Sequence, residues 1–83
     1  MNNIEKEKEN RATYKADLLK ITHGSLVLTK KNLALVLGKS VISIARDMQN
    51  SKGPHYIKEK NNNIMFPIED VLDYLTNTTK NYN

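Results

Sequence analysis

Three side chains that can bind the edges of DNA bases share one face of a helix predicted over residues 40–50. Ile42, Arg46 and Gln49 are spaced i, i+4 and i+7, so a helix presents them together. A planar guanidinium matches the O6 and N7 acceptors of guanine, a glutamine amide matches adenine, and isoleucine packs against a thymine methyl group. Ser43 joins them as a candidate, because the apolar stripe of the same helix predicts that Ser43 is exposed. The pattern indicates contacts to base edges in a major groove.

Each of these side chains also has a less specific interpretation. Arg46 would equally suit a phosphate group or a carboxylate of its own fold, and Ile42 and Gln49 would be unremarkable on a protein surface.

Cations suited to phosphate binding surround this predicted helix. Helix N-termini add backbone amides, which bind anions in the same way. The candidates for contacts to a DNA backbone are Lys30, Lys31, Lys39, Ser40 and Lys52. For any one of these lysines, solvated surface is an equally good interpretation.

Two β-prone runs, HYIKEK and IMF, flank three consecutive asparagines. Asparagine accepts positive φ better than any residue except glycine, so the run predicts a hairpin over residues 56–66 with the asparagines at its tip. Tyr56 and Phe66 are expected in the core rather than as stacking platforms for bases. Further backbone candidates lie on this hairpin, at Lys58, Lys60, Asn61, Asn62 and Asn63.

Composition argues against several classes of protein. The 83 residues contain no cysteine and only two histidines, which are far apart, so we expect no catalytic residues, no metal site and no cofactor. Neither a Gly-rich phosphate loop nor a carboxylate pair in an apolar run is present, so we expect no small-molecule ligand and a protein that is not an enzyme. No apolar run approaches the ~18 residues of a membrane span, which predicts a cytoplasmic protein without membrane contacts.

The net charge of +4 is unevenly distributed. Residues 18–68 contain eight lysines or arginines against two acidic residues, whereas residues 1–17 are balanced and residues 69–83 are acidic. A basic segment of this kind is typical of proteins that bind a phosphate-rich partner, although a lysine-rich solvated surface would look the same.

The elements that position these residues follow from caps and periodicity. We predict a helix over residues 11–21, a short β segment over residues 25–28, a helix capped by Thr29 and ended by Gly38, a helix capped by Ser40, the hairpin, and a helix with Pro67 in its first turn. The domain would span residues 25–76, between a charged, partly helical arm over residues 1–24 and a flexible tail over residues 77–83. A buried strand over LALVL is the alternative for the first capped helix, and it would leave both caps as coincidences.

Ala34 and Gly38 indicate how the two capped helices meet. A small residue allows two helices to cross closely, and a glycine four positions later reverses the chain, as in a helix-turn-helix. An ordinary helical hairpin without a ligand would use the same residues.

The two capped helices and the hairpin together resemble a known family. LTKKNLALVLGKSVISIARDM followed by GPHYIKEKNNNIMFPIEDVLDYL resembles the winged helix-turn-helix domains of excisionase-like and AlpA-like phage and plasmid proteins, relatives of the MerR-type domain. The resemblance covers about residues 26–75. It departs from the family at Lys39, where an apolar residue is usual, at Asp47 on the second helix, and at an asparagine tip where relatives often carry glycine and arginine.

The resemblance implies a mainly α fold with a small β-hairpin wing, a recognition helix over residues 40–50 and a wing over residues 56–66. It implies a sequence-specific double-stranded DNA-binding protein in a bacterial or phage-infected cell, either a transcription regulator or an excisionase-like architectural factor. A homodimer or cooperative assembly on DNA would strengthen binding by such a small module. The alternative is a non-catalytic adaptor of the same fold whose basic face binds an acidic protein.

Overall fold

Four helices and a three-stranded antiparallel sheet make up the part of the chain that the structure describes. The structure is a computed structural model, and it describes the backbone of residues 3–80 and the side chains of residues 10–77. The elements are α1 (Asn3–Ile21), β1 (Val27–Leu28), α2 (Lys30–Leu37), α3 (Val41–Gln49), β2 (Ile57–Lys58), β3 (Ile64–Pro67) and α4 (Ile68–Lys80). The predicted order of elements and the mainly helical character are confirmed.

Local hydrogen bonds and one left-handed glycine define both ends of α2 and the start of α3. The Thr29 hydroxyl accepts from the Asn32 amide at 3.0 Å, and the Asn32 side chain accepts in return from the Thr29 amide at 3.0 Å. Gly38 ends α2 in the left-handed conformation, with φ of 66°, which glycine adopts without a steric penalty. The Ser40 hydroxyl then accepts from the Ser43 amide at 3.1 Å and starts α3. LALVL is therefore helical, and its interpretation as a strand is wrong.

Strand β3 lies in the middle of the sheet, between β1 and β2. Leu28 pairs with Phe66 on one side, and Ile57 pairs with Met65 on the other. Pro67 pairs with Val27 and ends β3, so α4 begins at Ile68 and not with Pro67 in its first turn. Proline fits this place because it lies at the end of its strand, where a ladder amide is not needed.

The hairpin turns one residue earlier than predicted. The Asn62 amide donates to the Glu59 carbonyl at 2.9 Å, which places Lys60 and Asn61 at the centre of the turn. Asn62 follows with φ of 66°. The expectation that an asparagine takes the left-handed conformation is thus confirmed at Asn62.

One apolar core joins the sheet to all four helices. Phe66, Leu28, Val71 and Leu72 are fully buried at its centre, and Leu33, Ile44 and Leu18 pack around them. Ala34 is 6% exposed in the same core, as its predicted position at a helix crossing requires. Because Leu18 belongs to this core, α1 packs within the chain.

Both terminal helices are longer than predicted. Helix α1 begins at Asn3 and not at Arg11, and α4 continues through Lys80, into the segment predicted to be a flexible tail. The glutamates and lysines that precede Arg11 are good helix formers, so a helix anchored by its buried end extends through them without an apolar face. The rest of the predicted tail, residues 81–83, lies outside the described residues.

A cluster of ion pairs fastens α1 to α4. The Arg11 guanidinium donates to Glu69 at 2.7 Å and to Asp73 at 2.9 Å, and the Lys15 ammonium lies 3.0 Å from Glu69. The hydrogen bond from Arg11 and, to a smaller extent, that from Lys15 lower the pKa of Glu69 below its ordinary value. Since the side chains of Arg11 and Glu69 are 34% and 56% exposed, solvent screening keeps the stabilisation small.

Replacing Arg11 with glutamine should lower the free energy of unfolding at pH 7 by about 0.5–1 kcal/mol. A carboxyl group with a lowered folded pKa stabilises the protein fully above its unfolded pKa of about 4.3, so the difference from the parent should shrink below this pH and vanish once the pH falls through the lower folded pKa of Glu69. Urea unfolding across this pH range measures it. Lys20→Gln is the matched control, since Lys20 is an exposed cation on the same helix without an ion pair among the described residues. An equal loss in both variants would assign the effect to net charge.

Candidate nucleic-acid interface

The outer side of α3 presents three of the predicted base-contact residues together. Ile42 is 73% exposed, and Arg46 and Gln49 are exposed on the same helix face. We call these three side chains the reading face. Arg46 forms no ion pair within the described residues, so its guanidinium is not bound to a carboxylate there.

Two neighbouring residues of α3 lie differently from the predictions. Ser43 is half-buried on the side of α3 that faces the preceding turn, so it does not belong to the reading face. Val41, whose i, i+3, i+4 and i+7 spacing with Ile44, Ala45 and Met48 predicts an apolar stripe, is 44% exposed. Ser43 lies about 100° around the helix from the buried Ile44, at the edge of the packed face, and Val41 is the first residue of α3.

A groove separates the hairpin from the first turns of α2 and α3. This hairpin-side groove has a volume of about 760 Å³, and its lining includes Lys30, Lys31, Val41, Asn62 and Asn63 together with one acidic residue, Glu59. It brings together two predicted backbone candidates of α2 and two of the hairpin. Lys31 is exposed, whereas Lys30 is half-buried. Residues that are thirty positions apart in the chain thus border one concave surface beside the reading face.

Backbone donors add to the cations at this groove. In α2 the first amide with an acceptor is that of Asn32, which donates to the Thr29 hydroxyl, and the next is that of Leu33. In α3 the corresponding amides are those of Ser43, which donates to the Ser40 hydroxyl, and of Ile44. The two preceding amides of each helix find no acceptor among the described residues. Free amides at a helix N-terminus are donors for an anion such as phosphate. The Ser40 hydroxyl is exposed, but it already serves as the cap of α3.

The remaining hairpin candidates point to solvent. Lys58, Lys60 and Asn61 are exposed, and neither lysine forms an ion pair among the described side chains. Tyr56, predicted in the core, is 43% exposed and meets the buried Phe66 edge to face, with the ring centroids 6.0 Å apart. The hairpin therefore presents Lys58 on β2, and Lys60 and Asn61 at its tip, to solvent.

Lys39 is engaged within the chain. Its ammonium donates to the Asp47 carboxylate at 2.8 Å, which joins the turn before α3 to the second turn of α3. This hydrogen bond raises the pKa of Lys39 and lowers the pKa of Asp47. Two of the three departures from the resembled family, Lys39 and Asp47, are thus partners of each other. Sequence reasoning missed this pair because it considered the two residues separately.

Lys52 lies close to the same carboxylate. Its amide donates to the Asp47 carbonyl at 2.7 Å, and its side chain is exposed. Its charge, with those of Lys39 and Arg46, contributes to the lowered pKa of Asp47. Three cations, one in the turn before α3, one on α3 and one after it, therefore act on the single carboxylate of Asp47.

Of the three acidic residues of α4, Glu69 and Asp73 are paired with cations of α1, whereas Asp70 forms no ion pair among the described side chains. No group of three potential ligand side chains among the described residues is arranged to hold a metal ion. The described helices also include none that is long and apolar enough to cross a membrane.

Comparison of the chain with protein-family models, curated proteins and solved structures found no match.

Proposed function

We propose that this chain is a sequence-specific double-stranded DNA-binding protein with a winged helix-turn-helix fold. Helix α3 enters the major groove, and the hairpin is the wing, which follows the DNA backbone or enters the adjacent minor groove. The observation that carries the proposal is the reading face: Arg46, which has no ion pair among the side chains of residues 10–77, lies beside the exposed Ile42 and Gln49, with cations on both sides of their helix.

The contacts divide into two kinds. Lys31, the free amides of α2 and α3 and the wing bind phosphates, which sets the register of the protein on the duplex and supplies most of the affinity. Arg46 contacts guanine with two parallel hydrogen bonds, which is worth about 1–3 kcal/mol against a wrong base. Ile42 packs against a thymine methyl group, and Gln49 binds adenine. Ser43 is omitted, since it is half-buried.

The biological role within this class is that of a phage- or plasmid-type transcription regulator or an excisionase-like architectural factor. Its support is the resemblance over residues 26–75. Either role requires only DNA binding, and a module this small gains affinity from a homodimer or from cooperative neighbours on DNA.

Fluorescence anisotropy tests the proposal directly. A labelled duplex from the upstream region of the protein's own gene and a scrambled duplex of equal composition are titrated at several salt concentrations. We expect tighter binding to the native duplex and a logarithmic salt slope that corresponds to several phosphates, about 0.9 per phosphate. Failure of both duplexes to bind below about 100 μM at low salt would contradict DNA binding, because even non-specific complexes are tighter. A bending assay then distinguishes an architectural factor from a regulator.

An adaptor function remains the second candidate, and one observation favours a protein partner. Leu35 is 71% exposed at the rim of an apolar depression of about 390 Å³, which Tyr14, Ile21 and Val36 also line. Such a surface suits a protein contact better than a DNA contact. The adaptor predicts saturable binding to an acidic protein, together with the negative result of the DNA titration.

A further inference from the structure

Asp47 is the one acidic side chain on α3, and it occupies the flank of the helix that faces the preceding turn. It lies one residue after Arg46 and therefore about 100° around the helix from Arg46. Its carboxylate accepts from Lys39 at 2.8 Å and is 24% exposed, compared with 40% for the Lys39 side chain. A helix that lies in a major groove has one phosphate backbone along each of its sides. When the hairpin-side groove faces one of these backbones, the flank with Asp47 faces the other.

We propose that Asp47 is a selectivity residue, which lowers the affinity of the protein for DNA of unrelated sequence more than its affinity for its own site. This inference rests on the proposed function.

The first part of the mechanism is the withdrawal of a cation. Non-specific binding consists almost entirely of phosphate contacts by lysine and arginine. Lys39 stands at the N-terminus of α3, where a lysine would contact phosphate, but its ammonium is held by Asp47. Each phosphate contact by Lys39 must therefore first break this ion pair, which weakens binding to every sequence.

The second part concerns Arg46 and makes the effect unequal between sequences. On unrelated DNA, Arg46 has no matching guanine and can contribute only as a phosphate-binding cation. The adjacent carboxylate of Asp47 repels that phosphate. On the matched site, Arg46 donates two hydrogen bonds to a neutral guanine, which a nearby negative charge penalises far less than it penalises a phosphate contact. Asp47 thus opposes the non-specific complex more than the specific one.

The test removes the charge of Asp47 with little change in shape. For Asp47→Asn we expect about tenfold tighter binding to the scrambled duplex, about two- to threefold tighter binding to the native duplex, and a salt slope steeper by about one. Asp17→Asn is the matched control, since Asp17 is an exposed carboxylate on α1 and its removal changes the net charge equally. This control should change neither the ratio of the affinities for the two duplexes nor the salt slope appreciably.

A double-mutant cycle with Lys39→Gln tests whether Asp47 restrains Lys39. If it does, Lys39→Gln costs more affinity for the scrambled duplex in the Asp47→Asn background than in the parent. Equal costs in the two backgrounds would overturn the restraint, because Lys39 would then contact phosphate in the parent already. Circular dichroism checks that each variant folds, and Asp47→Gln, which we expect to behave as Asp47→Asn does, takes its place if the asparagine variant does not fold.

The outcomes separate this inference from the proposed function. If the parent binds neither duplex, both are overturned, and the parent titration alone shows this. If the parent prefers its native duplex but Asp47→Asn changes the two affinities by the same factor, or by no more than Asp17→Asn does, only the selectivity role of Asp47 is overturned.

Discussion

Truncation of Phe66 to alanine is expected to lower the free energy of unfolding by about 3–5 kcal/mol. Phe66 is fully buried in the central strand of the sheet, pairs with Leu28 in β1 and belongs to the core that all four helices share. Alanine would leave a cavity that the short strands cannot close. Since a domain of this size is stable by only about 5–10 kcal/mol, a large loss of folded protein should follow on mild warming. Urea unfolding followed by circular dichroism measures the change.

Tyr56→Ala provides the comparison for Phe66. Tyr56 contacts the Phe66 ring edge to face, but it is 43% exposed, so its removal loses the aromatic pair and only part of an apolar burial. A loss of about 1–2 kcal/mol is expected. If the two variants were equally destabilised, the core would not be centred on Phe66.

Replacement of Arg46 by alanine should weaken binding to the native duplex by about 5- to 150-fold, which corresponds to 1–3 kcal/mol. The scrambled duplex should be affected much less, because Arg46 has no matching base there and Asp47 opposes its contact with phosphate. The ratio of the two dissociation constants would therefore fall toward one. Anisotropy titrations of both duplexes at a fixed salt concentration measure this ratio.

Two comparisons make the Arg46 prediction specific. Lys31→Ala should weaken binding to all sequences by a similar factor and reduce the salt slope by about one, since a phosphate contact carries no sequence information. Arg46→Lys retains the charge but loses the planar pair of donors, so it should resemble Arg46→Ala in sequence preference. If Arg46→Lys kept the full preference of the parent, Arg46 would act as a phosphate-binding cation.

Features that depend on neighbouring residues were predictable from the sequence. Thr29 determines where α2 begins, and Gly38 and Ser40 determine where α2 ends and α3 begins, because capping bonds span three or four residues and the left-handed conformation favours glycine wherever it occurs. The same reasoning predicted a left-handed asparagine in the hairpin, which the structure has at Asn62. The i, i+4, i+7 spacing of Ile42, Arg46 and Gln49 likewise settled that they share a helix face.

The lengths of the terminal helices were not predictable in this way. A helix of charged residues is only marginally stable alone, so its extent depends on whether one end is anchored. The anchor of α1 is the burial of Leu18 and the pairing of Arg11 with Glu69, a residue 58 positions away. A pairing between residues so far apart in the chain cannot be predicted from a local sequence pattern.

The sequence by itself therefore determined the turn between α2 and α3, the caps of these helices and the shared face of the candidate base-contact residues, since each depends on groups within one or two helical turns. Only the tertiary structure decided which candidates are available. In the folded chain Ser43 is half-buried, Lys39 forms an ion pair with Asp47, and Lys31 and Asn62 line one groove. These outcomes depend on how helices and hairpin pack, and packing brings together side chains that no fixed spacing along the chain relates.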